Sequence, residues 1–140
     1  MKKIFRRARI LALEVCYQLD IQNLMCLKNA DQVFEDMQVN DSSVLSRAKK
    51  IVTGVITNLS LIDELIKKHS KNWDISRMVY IDRNILRIAV YEMLFMPDVP
   101  DIVAINEAIE ISKIYSSSES GKFINGLLDS IRKGIVSQQK

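Results

Sequence analysis

The amino-terminal segment MKKIFRRARI concentrates positive charge ahead of the first acidic residue of the chain. Its basic side chains are Lys2, Lys3, Arg6, Arg7 and Arg9. Guanidinium groups donate parallel hydrogen bonds to phosphate oxygens, and arginines three positions apart share one face of a helix. The segment therefore predicts a phosphate-binding surface on which the fold itself does not depend. The alternative is a solvated basic terminus that serves only solubility.

A second candidate surface lies near the carboxyl terminus, in a predicted helix that contains Lys122, Phe123 and Asn125. An aromatic ring beside an amide suits unstacked RNA bases, which stack on aromatic side chains and form hydrogen bonds through their edges. We expect Lys113, in the preceding predicted helix, to join this surface. The alternative for Phe123 is a place in the hydrophobic core.

Side chains for catalysis or metal binding are scarce in this sequence. His69 is the single histidine, which leaves little for a catalytic triad or a histidine-based metal site. We interpret Glu107 and Glu110 as solvated surface charges, and Cys16 and Cys26 as reduced thiols in the core. The sequence contains no P-loop, no dinucleotide-binding glycine motif and no CxxC pair. We therefore expect neither an enzyme, nor a metal site, nor a cofactor.

The elements that must position these side chains are predicted to be helices, because only two prolines and four glycines interrupt the chain. Apolar residues at helical spacing predict a first helix over residues 5–22 and a short one over residues 32–37. A series from Leu45 to Ile66 advances by three and four positions in turn. This series predicts one continuous helix of about six turns.

The second half of the chain begins after residues 69–73, where the apolar pattern lapses. Asp82 is predicted to cap a helix that ends before Pro97, since proline disfavours helical geometry in the residue that precedes it. Two further helices follow, one with apolar residues between 104 and 111 and one with apolar residues between 123 and 131. The predicted fold class is all-α.

The composition is that of a folded domain. Of the 140 residues, 48% are hydrophobic and 26% are charged, which is far from the composition of disordered chains. We expect a single domain over residues 1–140, with subdomains at about 1–70 and 71–140. The net charge of +3 is too small by itself to identify a nucleic-acid binder. No apolar stretch approaches the ~18 residues of a membrane span, so we expect a cytoplasmic protein that does not enter a membrane.

Four ordered sequence blocks in the second half resemble the NusB family. They are ILRIAVYEM at residues 85–93, PDVP at 97–100, VAINEAIE at 103–110 and GKFINGLLD at 121–129. The RRAR segment at residues 6–9 is similar to the arginine-rich RNA-binding motif of that family. Because the blocks occur in the order and spacing of the family, the resemblance is specific, although between Asn23 and Tyr80 it is weak.

The resemblance implies two stacked helical subdomains and a role as an RNA-binding transcription antitermination factor. It implies binding to boxA-type single-stranded RNA in ribosomal and other transcripts, together with small ribosomal subunit protein ten, which also serves as NusE. With other Nus factors this pair joins RNA polymerase and suppresses termination. Some family members also form homodimers that cover the arginine motif.

The resemblance also assigns residues by position. The residues that match the RNA surface of the family are Arg6, Arg7, Arg9, Lys122, Phe123 and Asn125. Tyr17 and Asp82 match the region that meets the ribosomal protein.

Two other functions compete with antitermination. One is a NusB-like RNA-binding module of the kind fused to ribosomal RNA methyltransferases, which we disfavour because the chain ends at Lys140 and leaves no room for the enzyme domain. The other is a helical protein–protein adaptor with no RNA role, which leaves the basic amino terminus unexplained.

Overall fold

The architecture is a bundle of α-helices. A computed structural model describes residues 2–70 and 74–138, and describes side chains for residues 3–70 and 74–135. The helices are α1 (Lys2–Ile21), α2 (Leu27–Met37), α3 (Ser42–Thr57), α4 (Leu59–His69), α5 (Tyr80–Phe95), α6 (Asp101–Tyr115) and α7 (Ser118–Gln138), with a 3₁₀-helix at Ile75–Arg77. These described residues contain no β-strand, and the predicted all-α class is confirmed.

Helix α5 is the central element of the core. It contacts α1, α3 and α4 from the first half of the chain and α6 and α7 from the second half. Ten of its sixteen residues are buried, including Arg87. A helix buried on all sides must satisfy its polar side chains inside the protein. Arg87 accordingly donates to Asp20 of α1 at 3.0 Å and to Asp63 of α4 at 2.8 Å.

The prediction of one continuous helix between Leu45 and Ile66 is wrong, because the helix is interrupted at Asn58. This residue has φ −109° and ψ 20° and separates α3 from α4. Its side-chain amide donates to the carbonyl of Gly54 at 2.8 Å, and its backbone N–H reaches the same oxygen at 3.0 Å. Apolar residues keep helical spacing on both sides of Asn58, so the periodicity cannot reveal the break.

Asp82 does not cap α5, contrary to the sequence prediction. The helix begins at Tyr80 after Val79, which places Asp82 in its first turn. Asp82 is buried, and its Oδ2 accepts a hydrogen bond from Ser120 Oγ at 2.8 Å. Ser117 Oγ in turn accepts from the backbone N–H of Ser120 at 3.0 Å. The carboxylate therefore ties the start of α5 to the start of α7. A negative charge is favourable at both places, because the amino terminus of a helix carries a partial positive charge.

The two cysteines lie in different surroundings. Cys16 is buried, as predicted, and burial raises the pKa of its thiol to about 12. Cys26 is exposed, so its predicted place in the core is wrong. Within residues 2–70 and 74–138, none of the helices combines the length and the apolar character needed to cross a membrane.

Candidate nucleic-acid interface

Arg9 lies in the interior where α1 meets α5. It is only 3% exposed, and Glu92 of α5 is 1% exposed. Arg9 Nε donates to Glu92 Oε1 at 2.8 Å, and Arg9 Nη2 donates to Glu92 Oε2 at 2.8 Å. The two groups therefore form a buried bidentate ion pair. The expectation that the fold does not depend on the amino-terminal arginines fails for Arg9.

Glu107 of α6 links this buried pair to the surface. Its Oε1 accepts from Arg9 Nη1 at 3.2 Å and from Arg6 Nε at 3.0 Å, while its Oε2 accepts from Arg6 Nη2. The hydrogen bond from Arg6 is the main cause that holds the pKa of Glu107 below its ordinary value. The interpretation of Glu107 as a solvated charge is therefore wrong. Glu110 is exposed and pairs with Lys113 at 3.3 Å, which agrees with the interpretation.

The remaining cations of α1 stay accessible. The side chain of Arg6 is 44% exposed and that of Arg7 is 60% exposed, and Lys3 is also exposed. Arg7 Nη1 lies 3.3 Å from Asp41 Oδ2, at the start of α3. We call Lys3, Arg6 and Arg7 the α1 basic surface. The side chain of Lys2, which was predicted to extend this surface, lies outside the described residues.

A groove of about 360 Å³ runs beside the α1 basic surface, between α1 and α6. It is lined by Lys3, Phe5, Arg6, Arg9, Val103, Asn106 and Glu107. We call it the α1–α6 groove. Cationic, apolar and amide side chains thus meet in one depression, which is a combination that suits the phosphates and the bases of a single nucleic-acid strand.

The second predicted surface lies on α6 and α7, which pack against each other. Lys113, Lys122 and Asn125 are exposed, as an RNA contact requires. Phe123 is half-buried and packs against the hydrophobic core, so it combines a structural contact with an accessible remainder. The RNA role of these four residues stays a prediction.

The two residues predicted to meet the ribosomal protein differ in accessibility. Tyr17 on α1 is half-buried and retains an accessible part. Asp82 is buried and accepts a hydrogen bond from Ser120, so it joins α5 to α7 and offers little surface to a partner.

Sequence reasoning missed the acidic residues that organise the α1 arginines. A signal for Glu92 was present, because it is the one acidic residue in the apolar block ILRIAVYEM. A carboxylate inside such a run needs a buried partner, since an unpaired charge in the core is very costly. The sequence did not indicate which of the many basic residues supplies that partner.

The family model for NusB matches residues 6–133. The chain belongs to the NusB family. A transcription antitermination protein NusB from Bdellovibrio bacteriovorus is 48% identical over 129 residues, which cover 91% of this chain and 94% of that protein. A NusB protein from Desulfitobacterium hafniense is 43% identical over 131 residues, which cover 93% of this chain and 88% of that protein.

Solved structures of NusB proteins share the fold. T. maritima NusB superposes with a TM-score of 0.80 at 37% identity, covering 91% of this chain and 89% of that one. A crystal structure of the antitermination factors NusB and NusE in complex with double-stranded RNA matches with a TM-score of 0.84 at 28% identity. That match covers 96% of this chain and 99% of the other. The NusB fold expected from the resemblance is therefore confirmed.

Proposed function

We propose that this protein is an RNA-binding transcription antitermination factor. It binds boxA-type single-stranded RNA together with small ribosomal subunit protein ten (NusE). With other Nus factors and RNA polymerase it suppresses termination in the cytoplasm, notably in ribosomal RNA operons. Residues 1–140 act as one RNA-binding domain and carry out no catalytic step.

The observation that carries this proposal is membership of the NusB family over residues 6–133, together with the likeness to a NusB that was solved with NusE and RNA. The α1 basic surface supports it independently. Arg6 and Arg7 keep about half of their side-chain surface exposed, and each guanidinium group has further N–H groups, beyond those paired with Glu107 and Asp41, that can donate to phosphate oxygens.

The predicted site residues divide among three roles. The residues proposed to contact RNA are Lys2, Lys3, Arg6, Arg7, Lys113, Lys122, Phe123 and Asn125. Arg9 is instead assigned an internal role: it joins Glu92 to Glu107 and so determines where Arg6 lies. Tyr17 is proposed to contact the ribosomal protein.

The test compares two double variants that lose the same charge. Arg6→Ala/Arg7→Ala removes the two accessible guanidinium groups of α1, and Lys67→Ala/Lys68→Ala removes two exposed cations of α4. Binding to a short boxA RNA is measured against salt concentration. We expect only the arginine variant to bind more weakly, with a salt dependence that falls by about 0.7 for each phosphate that the protein no longer neutralises.

Thermal unfolding of both variants shows whether the fold is retained. Equal RNA affinity of the two variants at low salt would contradict the assignment of the α1 basic surface. Wild-type protein that binds the ribosomal protein but no RNA would support an adaptor function instead.

A further inference from the structure

The α1–α6 groove contains more than cations. Val103 lies on the groove and is 40% exposed, although it is a branched apolar residue in the first turn of α6. Asn106, one turn further along α6, is exposed, and its amide forms no hydrogen bond with any residue in the described part of the chain. The groove therefore offers an apolar wall and an unused donor and acceptor next to the α1 basic surface.

Phe5 lines the α1 side of the groove, and Arg47 of α3 packs against its ring. The guanidinium carbon of Arg47 lies 3.9 Å from the centre of the Phe5 ring, and Arg47 Nη1 is paired with Asp98 at 3.2 Å. Arg47 Nε and Nη2 are buried and form no hydrogen bond within the described residues, so the guanidinium face is used to cover the ring. Phe5 and Arg47 meet in a separate depression on the α3 side of Phe5. Phe5 therefore lines both depressions, whereas Arg47 lines only the one on the α3 side.

We propose that the α1–α6 groove is a subsite for one unstacked nucleobase of the bound RNA. Phe5 and Val103 contact the faces of the base, Asn106 forms hydrogen bonds with its edge, and Lys3 and Arg6 contact the neighbouring phosphates. This assignment rests on the proposed RNA-binding function and adds a position at which the protein distinguishes one base from another.

The chemistry of the groove favours a base over other occupants. A base is apolar on its faces and polar at its edge, and single-stranded RNA can turn its bases out toward a protein. Glu107 also lines the groove and is paired with Arg6 and Arg9, so Lys3 and the remaining N–H groups of Arg6 are the ones that favour a polyanionic chain over an apolar peptide. Because a side-chain amide presents a donor and an acceptor side by side, it best matches a base edge with the complementary pair, as adenine has.

The test combines base removal with groove variants. A short single-stranded boxA RNA is prepared in a series in which each nucleotide in turn lacks its base, and affinities are measured for the full chain at low salt. The groove variant is Val103→Ala/Asn106→Ala. The matched control is Ile102→Ala, which changes a neighbouring apolar side chain of α6 that is 49% exposed and does not line the groove.

For the wild-type protein we expect one position at which base removal weakens binding about 5- to 150-fold, equivalent to ~1–3 kcal/mol for a stacked base. In Val103→Ala/Asn106→Ala protein, removal of that same base should have little further effect, while Ile102→Ala protein should respond as the wild type does. Circular dichroism and thermal unfolding verify that both variants are folded.

Two results would overturn the subsite. One is tight binding by the wild type with no position sensitive to base removal, which would reduce the interaction to phosphate contacts. The other is a sensitive position whose penalty persists in Val103→Ala/Asn106→Ala protein, which would place the base elsewhere. If wild-type protein fails to bind the intact RNA, the proposed function fails together with the subsite, whereas the first two results leave RNA binding intact.

Discussion

The guanidinium of Arg9 and the carboxylate of Glu92 face each other across the α1–α5 interface with three hydrogen bonds of 2.8–3.0 Å. Both side chains are buried, although Arg9 belongs to the most basic segment of the chain. The arginines of the RRAR segment thus divide into one that holds helices together and two that remain accessible.

The first prediction concerns this buried pair. Arg9→Ala should lower the free energy of unfolding by about 3–5 kcal/mol, because it leaves the Glu92 carboxylate buried without its partner. Arg6→Ala should cost only ~0–1 kcal/mol, since that side chain is partly solvated. Urea unfolding measures both. The double variant Arg9→Met/Glu92→Leu should recover most of the lost stability, because an apolar pair replaces the ion pair. Equal stability of the Arg9→Ala and Arg6→Ala variants would argue against a structural role for Arg9.

The second prediction concerns the charge of Glu107, which opposes phosphate binding at Arg6. Glu107→Gln keeps the length of the side chain and one acceptor oxygen but removes the negative charge. The free energy of RNA binding should become more favourable by about 0.2–1 kcal/mol, which is the usual contribution of an exposed ion pair. The gain should disappear in an Arg6→Ala background, and Glu64→Gln, at an exposed carboxylate on α4, should produce none. A gain that persists without Arg6 would assign the effect to the overall charge of the protein.

The third prediction concerns the ribosomal protein. Tyr17 and Arg7 lie on α1 about three turns apart, so a partner that contacts Tyr17 would lie near the α1 basic surface. RNA and the ribosomal protein should therefore strengthen each other's binding by the same factor, with a coupling of about 1–3 kcal/mol. Tyr17→Ala should weaken partner binding and leave the affinity for RNA alone unchanged, while Gln18→Ala serves as the control. Calorimetry in both orders of addition measures the coupling, and additive binding would exclude it.

The fourth prediction concerns the dependence of stability on pH. Burial, with a contribution from Lys68, lowers the pKa of His69 below its ordinary 6.5. The unfolded chain then binds a proton more readily than the folded chain, so stability falls as pH drops below 6.5. His69 Nδ1 lies 2.8 Å from Ser130 Oγ and so connects α4 to α7.

His69→Gln should remove this dependence between pH 6.5 and pH 4.5. The upper limit is the ordinary pKa of histidine, and the lower limit is the ordinary pKa of a glutamate such as Glu107, near which carboxylates also titrate. Thermal midpoints measured across that interval for both proteins test the assignment. A wild-type midpoint that does not decline toward acid pH would show that the histidine is as easily protonated in the folded chain as in the unfolded one.

Local sequence was sufficient for the features that depend on neighbouring residues. Helical spacing of apolar side chains indicated the all-α class, and four short blocks together with RRAR identified the NusB family. The density of positive charge over residues 2–9 also identified α1 as a phosphate-binding candidate. Each of these properties can be read within a window of one or two helices, because it depends on composition and on the spacing along a single helix.

The tertiary structure decided which of those charges are available. Arg9 is removed from the surface by Glu92, which is 83 positions away, and Arg6 is partly neutralised by Glu107, which is 101 positions away. Likewise, the helix break at Asn58, where the side-chain amide donates to the carbonyl of Gly54, leaves the apolar spacing unchanged. Periodicity reports the face of a helix on which a residue lies but does not identify the helix that packs against that face. Burial and ion pairing depend on that second helix, so only the packing of α1 against α5 and α6 could separate the structural arginine from the accessible ones.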